Sequence, residues 1–242
     1  MNDSTKSNLT AYNTDVGWLS IPTDKLITNV KRAVECDGFK GIKIKVGSKS
    51  LTKDIDRLEK VRNAAGTNTM VAVDANGKWE LNEAKQFCNL AKDLDVHWLE
   101  EPLWYDNLLD HKTLSDYTNT PIALGEQLYT LEAFEAFITT GSVQFPQPDV
   151  TRLAGISDFL KVADKAHERR LPITAHVGDM GQIHVHLSFA HPACSLLEYI
   201  PWISEAFEEP IKVKDGEYFR PEMPGAGTTP KPEKLHQYGK SL

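Results

Sequence analysis

Short apolar runs alternate along most of the chain with longer segments in which apolar residues recur every three or four positions. The runs "LTAYNTDVGW", "GIKIKV", "MVAVDAN", "VHWLEEP", "PIALGE", "SVQFPQPDV", "LPITAHV" and "CSLLEYI" predict eight strands. Between them the apolar positions follow the helical period. In "TDKLITNVKRAVEC", Leu26, Ile27, Val30, Ala33 and Val34 mark one face, with Thr23 expected as the N-cap. "TKDIDRLEKVRNAAG" repeats the pattern through Ile55, Leu58 and Val61 and stops at Gly66. "ISDFLKVADKAHERR" does so through Phe159, Leu160, Val162 and Ala163. Eight strands alternating with helices predict an α/β fold, a parallel sheet closed into a TIM-type (β/α)8 barrel. An open doubly wound sheet is the alternative, weakened by the lack of a Gly-rich phosphate turn after the first strands.

A chain of 242 residues suits one such barrel, expected over 1–202, followed by a tail over 203–242. With 40% hydrophobic and 25% charged residues, the composition is that of a soluble globular protein. A net charge of −7 disfavours a general nucleic-acid binder but leaves room for an anionic small substrate at a local site. Cys36, Cys88 and Cys194 are odd in number and far apart, which reads as three reduced thiols in a cytoplasmic protein. No apolar run approaches the ~20 residues a membrane helix needs, and the polar start "MNDSTKSNLT" lacks the apolar core of a signal peptide.

The strands end on polar residues at a steady interval. Lys43 and Lys45 lie on the second strand, and Asp74, Glu100, Glu126, Asp149, His176 and Glu198 end the third to the eighth. Asp74 and Glu100 are 26 residues apart, as are Glu100 and Glu126. In a barrel the C-terminal strand ends converge on one mouth, so these groups are expected to share a site. Three carboxylates drawn together repel one another unless a cation neutralises them, and an all-oxygen set suits Mg²⁺. Such a metal can take a substrate carboxylate and stabilise the enolate formed when an α-proton is lost.

Lys43 and Lys45 are two apart in a strand and face the same side, while Ile42, Ile44 and Val46 face the helices. Mutual repulsion is expected to depress the pKa of one lysine enough for it to act as a neutral base. Asp149 is expected to fix and charge His176 on the opposite side. A lysine, a histidine and a metal between them make an α-proton abstraction site. Taken singly, several of these residues have plainer readings. Asp74 precedes the turn pair Asn76-Gly77, and Glu101 before Pro102 is expected to support Glu100. The run "QIHVHLSFAH" reads as the helix after the seventh strand, with His184, His186 and His191 on its surface or in a loop. Trp79, Trp98, Trp104 and Trp202 read as barrel packing, whereas Trp18 is within reach of the mouth.

The ordered set "KIK", "VDAN", "WLEEP", "LGE", "QPDVTRLAGIS", "TAH" and "LLEYI" resembles the enolase superfamily, within its mandelate racemase subgroup, and most closely the acid-sugar dehydratases. Asp149 and His176 separate the chain from the muconate-cycloisomerase-like subgroup, whose sixth strand carries a lysine. The resemblance implies a (β/α)7β barrel with Asp74, Glu100 and Glu126 as Mg²⁺ ligands. Lys45 would be the base on one face of the α-carbon, Lys43 would help to hold the substrate carboxylate, and Asn76 would be a further substrate contact. His176, paired with Asp149, would act on the other face and deliver the proton that lets a β-hydroxyl leave. Glu198 would hydrogen-bond the carboxylate or enediolate.

The implied activity is Mg²⁺-dependent dehydration of a sugar acid to a 2-keto-3-deoxy acid. Racemisation or epimerisation of a 2-hydroxy acid at the same site and a non-catalytic barrel are the alternatives. Family members carry an α+β capping domain ahead of the barrel, and here only a short polar stretch precedes the first strand. The implied partners are therefore a sugar acid and either further copies of this chain or a separate chain supplying the cap. The tail from Ile203 would pack towards that cap and is expected to be weakly anchored without it.

Overall fold

A computed structural model of the chain describes residues 6–178 and 181–238. Strands β1 (Asn8–Gly17), β2 (Gly41–Lys45), β3 (Met70–Asp74), β4 (Val96–Glu100), β5 (Ile122–Leu124) and β6 (Phe145–Pro146) pair in sequence order, all parallel. β7 (Leu196–Tyr199) returns to pair parallel with Thr10–Asn13 of β1. The helices between them are α1 (Thr23–Lys31), α2 (Leu51–Ala65), α3 (Leu81–Ala91), α4 (Leu108–Tyr117), α5 (Leu131–Thr140), α6 (Ile156–Glu168) and α7 (Gly181–Ala190). The predicted TIM-type barrel is what forms.

One predicted strand departs from the ladder. Residues 172–177 run between β6 and β7, and among the described residues their backbone-to-backbone ties to this part of the barrel are a parallel bridge, Ile173 to Cys194, and the Thr174 N–H donating to the Pro146 carbonyl at 3.2 Å. Pro172 has no N–H to give, and the N–H of Val177 goes instead to the Glu198 carboxylate at 3.1 Å. β6 is short for a related reason, since Pro146 and Pro148 both lack a donor. The first helix also differs from expectation. Pro22 occupies its N-cap without a side-chain hydrogen bond, Thr23 lies inside the first turn, and the helix runs on as a π-turn over Arg32–Cys36. α2 behaves as read: Ser50 accepts from the Lys53 N–H at 3.4 Å, and Gly66, at φ 77°, ends it.

Strand alternation sorts the interior into two apolar clusters. Outward residues such as Ile42, Ile44, Val73 and Leu99 pack under the helices, against Leu58, Phe87 and Phe159. Inside the barrel a smaller cluster of Tyr12, Ala72, Trp98 and Ala123 joins Met70, Phe145 and Leu196. Trp98 meets Tyr12 edge-on at 5.1 Å and tilts onto Phe145, also at 5.1 Å. These rings form a dry floor, and the inward lysines of β2 stand above it.

The tail adds the hairpin β8 (Val213–Lys214) and β9 (Glu217–Phe219), and a last helix α8 (Pro232–Tyr238). β9 pairs antiparallel with Asn8–Thr10 of β1, and buried Tyr218 donates to the Glu198 carbonyl at 2.6 Å. The expectation of weak anchoring is therefore corrected for this hairpin. Trp79 and Trp98 are buried as expected, but Trp104 and Trp202 are exposed and pack no core. Among the described residues no helix is long and apolar enough to cross a membrane.

β1 comes close to β2 at Gly17, where a Cβ would stand 2.6 Å from the Ile44 Cα. Backbone cannot yield there as a flexible side chain can. Gly17→Ala is expected to cost about 1–3 kcal/mol, seen as a lower urea midpoint with an unchanged slope. An unchanged midpoint would mean that the two strands are not held at this distance.

Candidate active site

The inward side chains of β2 end among acids from its neighbours. Lys43, only 1% exposed, places Nζ on Glu100 Oε1, 2.8 Å from Glu198 Oε1 and 3.8 Å from Asp74 Oδ2. Lys45 donates to the same Asp74 oxygen. The other oxygens of these acids are also held. Asp74 Oδ1 accepts the Asn76 N–H at 2.8 Å, in a turn where Asn76 has φ 47°. Glu100 Oε2 accepts from Trp98 Nε1 at 3.0 Å and Gln147 Nε2 at 2.8 Å. Glu198 accepts from Thr14 Oγ1 at 2.7 Å and from the Val177 N–H.

Across the mouth, His176 lies between two carboxylates, with Nδ1 2.8 Å from Asp149 Oδ2 and Nε2 3.0 Å from Glu126 Oε2. Asp149 Oδ1 accepts from the backbone and hydroxyl of Thr151 and stands 3.2 Å from His184 Nε2. His184 is fully buried behind Asp149, and its Nε2 accepts the Val150 N–H at 3.1 Å, so the expected surface or loop position is corrected. Arg152 donates to the Glu126 carbonyl at 2.9 Å and reaches its carboxylate at 3.4 Å. All eight polar strand-end residues read from the sequence thus face one mouth, with Asn76 tied to it through Asp74.

The charge states differ from expectation on the lysine side. Burial pushes Lys43 down, but Glu100 and Glu198 more than offset it and hold the ammonium well above its usual value. For Lys45 burial again lowers and Asp74 raises, and the repulsion from Lys43 is the smaller effect, so the result is a raised pKa. The anticipated depression is overturned because each ammonium has its own carboxylate. Opposite, burial would lower His176, yet hydrogen bonds to Asp149 and Glu126 carry it up to about 10. Burial would raise Glu126, but His176 draws it down to about 2. Asp149 and Glu198 likewise lie well below the usual carboxylate range, against the push of burial. Burial, reinforced by neighbouring acids, pushes Glu100 up to about 7 and Glu101 up to about 9.

The mouth therefore has more acids than cations. Asp74, Glu100, Glu101, Asp149 and Glu198 are buried, with Glu126 at the rim, against the cations Lys43, Lys45 and His176 inside and Arg152 at the edge. Glu101 shows the imbalance most directly, since its Oε1 is buried without a hydrogen-bond partner among the described residues. Its backbone is also held at φ 38°. Among the described residues no three ligating side chains surround one point as a metal shell; the carboxylates are turned to the lysines and His176 instead. The donor chemistry nevertheless fits a hard divalent cation: carboxylate oxygens from adjacent strand ends, short of positive charge.

Residues 25–234 match the family described as Enolase C-terminal domain-like. The chain belongs to the enolase superfamily. Within it the resemblance is to the acid-sugar dehydratases of the mandelate racemase subgroup. L-talarate/galactarate dehydratase of Salmonella typhimurium is 34% identical over 224 residues, 93% of this chain and 56% of that protein. Human mitochondrial enolase superfamily member 1 is 30% identical over 245 residues, 94% of this chain and 54% of its own length. The crystal structure of L-talarate dehydratase from Polaromonas sp. JS666, complexed with Mg and L-glucarate, superposes with a TM-score of 0.88 at 32% identity, covering 96% of this chain and 64% of that one. The chain thus spans a little over half the length of the enolase-superfamily relatives it matches.

Sequence reading missed several members of this site. Trp98, Gln147 and Thr14 each touch a strand-end acid, and a period of two along the strands finds them, because Trp98 precedes Glu100 and Gln147 precedes Asp149 by two. Arg152 follows strand β6 in a turn, and no periodicity points to it. The charge on Glu101 gives a pH test. Its carboxyl releases a proton near pH 4.5 in the unfolded chain and near pH 9 in the folded one. Between those values the folded state keeps a proton that the unfolded state has lost, so stability falls as pH rises. In metal-free buffer Glu101→Gln should gain on the order of 1–3 kcal/mol at pH 8 and little at pH 5, measured by urea unfolding. An equal effect at both values would contradict the assignment.

Proposed function

We propose that this barrel is the catalytic part of a Mg²⁺-dependent hydro-lyase that dehydrates a sugar acid to its 2-keto-3-deoxy product. The observation that carries the reading is the opposition of two proton carriers, Lys45 beside Asp74 and His176 held by Asp149 at 2.8 Å, across a mouth rich in carboxylates. The dehydratase relatives support it, L-galactonate dehydratase of Hypocrea jecorina at 30% identity among them. The free thiols of Cys36, Cys88 and Cys194 accord with a cytoplasmic location.

In this reading Asp74, Glu100 and Glu126 hold Mg²⁺, which when bound withdraws electrons from the substrate carboxylate and makes the α-proton more acidic. Engaging Asp74 as a ligand weakens the pairing that raises Lys45, and the repulsion from Lys43 then favours a neutral amine. Lys45 removes the α-proton, while Lys43 and Glu198 hold the carboxylate as it gains enediolate character. His176, charged and oriented by Asp149, gives its proton to the β-hydroxyl, and the C–O bond breaks to release water. The enol that remains tautomerises to the 2-keto-3-deoxy acid. Asn76 is placed as a further substrate contact, and contacts beyond the carboxylate come from a capping segment.

Two substitutions separate these roles. Glu126→Gln is expected to weaken Mg²⁺ binding at least tenfold in a calorimetric titration and to abolish turnover; parent-like affinity would sink the ligand assignment. His176→Asn should stop elimination while leaving Lys45 able to exchange an α-proton with deuterium from solvent. If a folded His176→Asn protein that binds Mg²⁺ loses exchange as well, the two residues do not have separate roles. The direct test is a sugar-acid library assayed for 2-keto-3-deoxy product, with this chain alone and with a capping segment supplied. Deuterium exchange without keto-acid product would indicate epimerisation instead.

A further inference from the structure

The loop leaving β1 carries an aromatic side chain to the Lys45 side of the mouth. Lys45 Nζ lies over the Trp18 ring, 5.1 Å from its centroid. Trp202, from the loop after β7, packs on Trp18 with ring centroids 4.7 Å apart and is fixed by its Nε1–H donating to Asp15 at 2.7 Å. The loop is fastened from α2: buried Arg57 donates to the Trp18 and Ile21 carbonyls, each at 2.8 Å. Gly17, against Ile44, fixes where the loop starts. Trp18 is thus held by its backbone and its stacking partner. Its own Nε1–H is buried without a partner among the described residues.

Lys45 depends on that ring more than Lys43 does. Lys43 has three carboxylates around it, whereas the one hydrogen bond of Lys45 among the described residues goes to Asp74. Asp74 is also a proposed metal ligand, so a bound cation competes for that oxygen. A lysine side chain has four rotatable carbons and no preferred direction of its own. A ring face fixed by Arg57 and Trp202 gives it one that does not depend on Asp74.

We propose that Trp18 is a positioning residue, whose ring face holds Lys45 on the base side of the mouth when the carboxylates are engaged by a cation. This rests on the proposed role of Lys45 for its catalytic consequence, but not for its structural content. The structural content is tested by NMR on protein with ¹³C-labelled lysine, where a proton over an indole face is shifted upfield. The Lys45 ε-CH₂ signal, assigned by its loss in Lys45→Met, should be upfield of the other lysines and stay so in saturating Mg²⁺. It should move to the bulk lysine position in Trp18→Leu. Trp18→Phe keeps an aromatic face and loses only an unpaired donor, so it should fold and keep part of the shift. A parent signal at the bulk position, or one unmoved in both Trp18 variants, would overturn the proposal. With L-glucarate as probe in D₂O, α-proton exchange should fall about 10- to 100-fold in Trp18→Leu and largely recover in Trp18→Phe. Exchange that persists in Lys45→Met would refute the base assignment, while the resonance shift would still decide the role of Trp18.

Discussion

Lys43 supplies the charge that joins the staves of this barrel at its mouth. Its ammonium reaches acids from β3, β4 and β7, and it is buried as completely as they are. A buried charge without partners would cost several kcal/mol, and so would each of the acids, so neither side of the arrangement is stable without the other. The apolar floor of Tyr12, Trp98 and Phe145 excludes water from below and makes this pairing matter. Trp98 belongs to both layers, with its ring in the floor and its N–H on Glu100. Substituting it would loosen packing and site together.

The same balance sets the chemistry. Where an acid has a partner of opposite charge, as Glu198 with Lys43 or Asp149 with His176, it stays ionised. At Glu100 burial outweighs the Lys43 partner and raises the carboxyl to about 7, and at Glu101, whose Oε1 has no hydrogen-bond partner among the described residues, it raises it to about 9. Both acids feel the charge of Asp74, and a divalent cation there would relieve that repulsion. In the proposed dehydratase Asp74, Glu100 and Glu126 would hold the cation, and Lys45 and His176, no longer paired with Asp74 and Glu126, would be free for proton transfer on the two sides.

Much of this was legible in the sequence because strand geometry has a period of two and barrel strands end at one face. Asp74, Glu100, Glu126, Asp149, His176 and Glu198 could be read as one site before their partners were known. The partners themselves followed less well. Lysine charge states were misread, since the spacing of Lys43 and Lys45 reveals their mutual repulsion but not which acid each one meets. The seventh stave was counted as a strand because hydrophobicity does not record that the Val177 N–H is diverted to a side chain. His184 sits on a helix whose apolar and polar positions do not separate into faces, and its burial behind Asp149 depends on tertiary packing alone.

The central claim is that Asp74, Glu100 and Glu126 exchange their lysine and histidine partners for one metal ion. A crystal structure grown in saturating Mg²⁺ tests this most directly. The account predicts a six-coordinate ion with one oxygen from each of the three residues at ~2.0–2.1 Å, and with Glu126 turned away from His176. A structure in which Glu126 still pairs with His176 and the ion lies elsewhere, or nowhere, would contradict it.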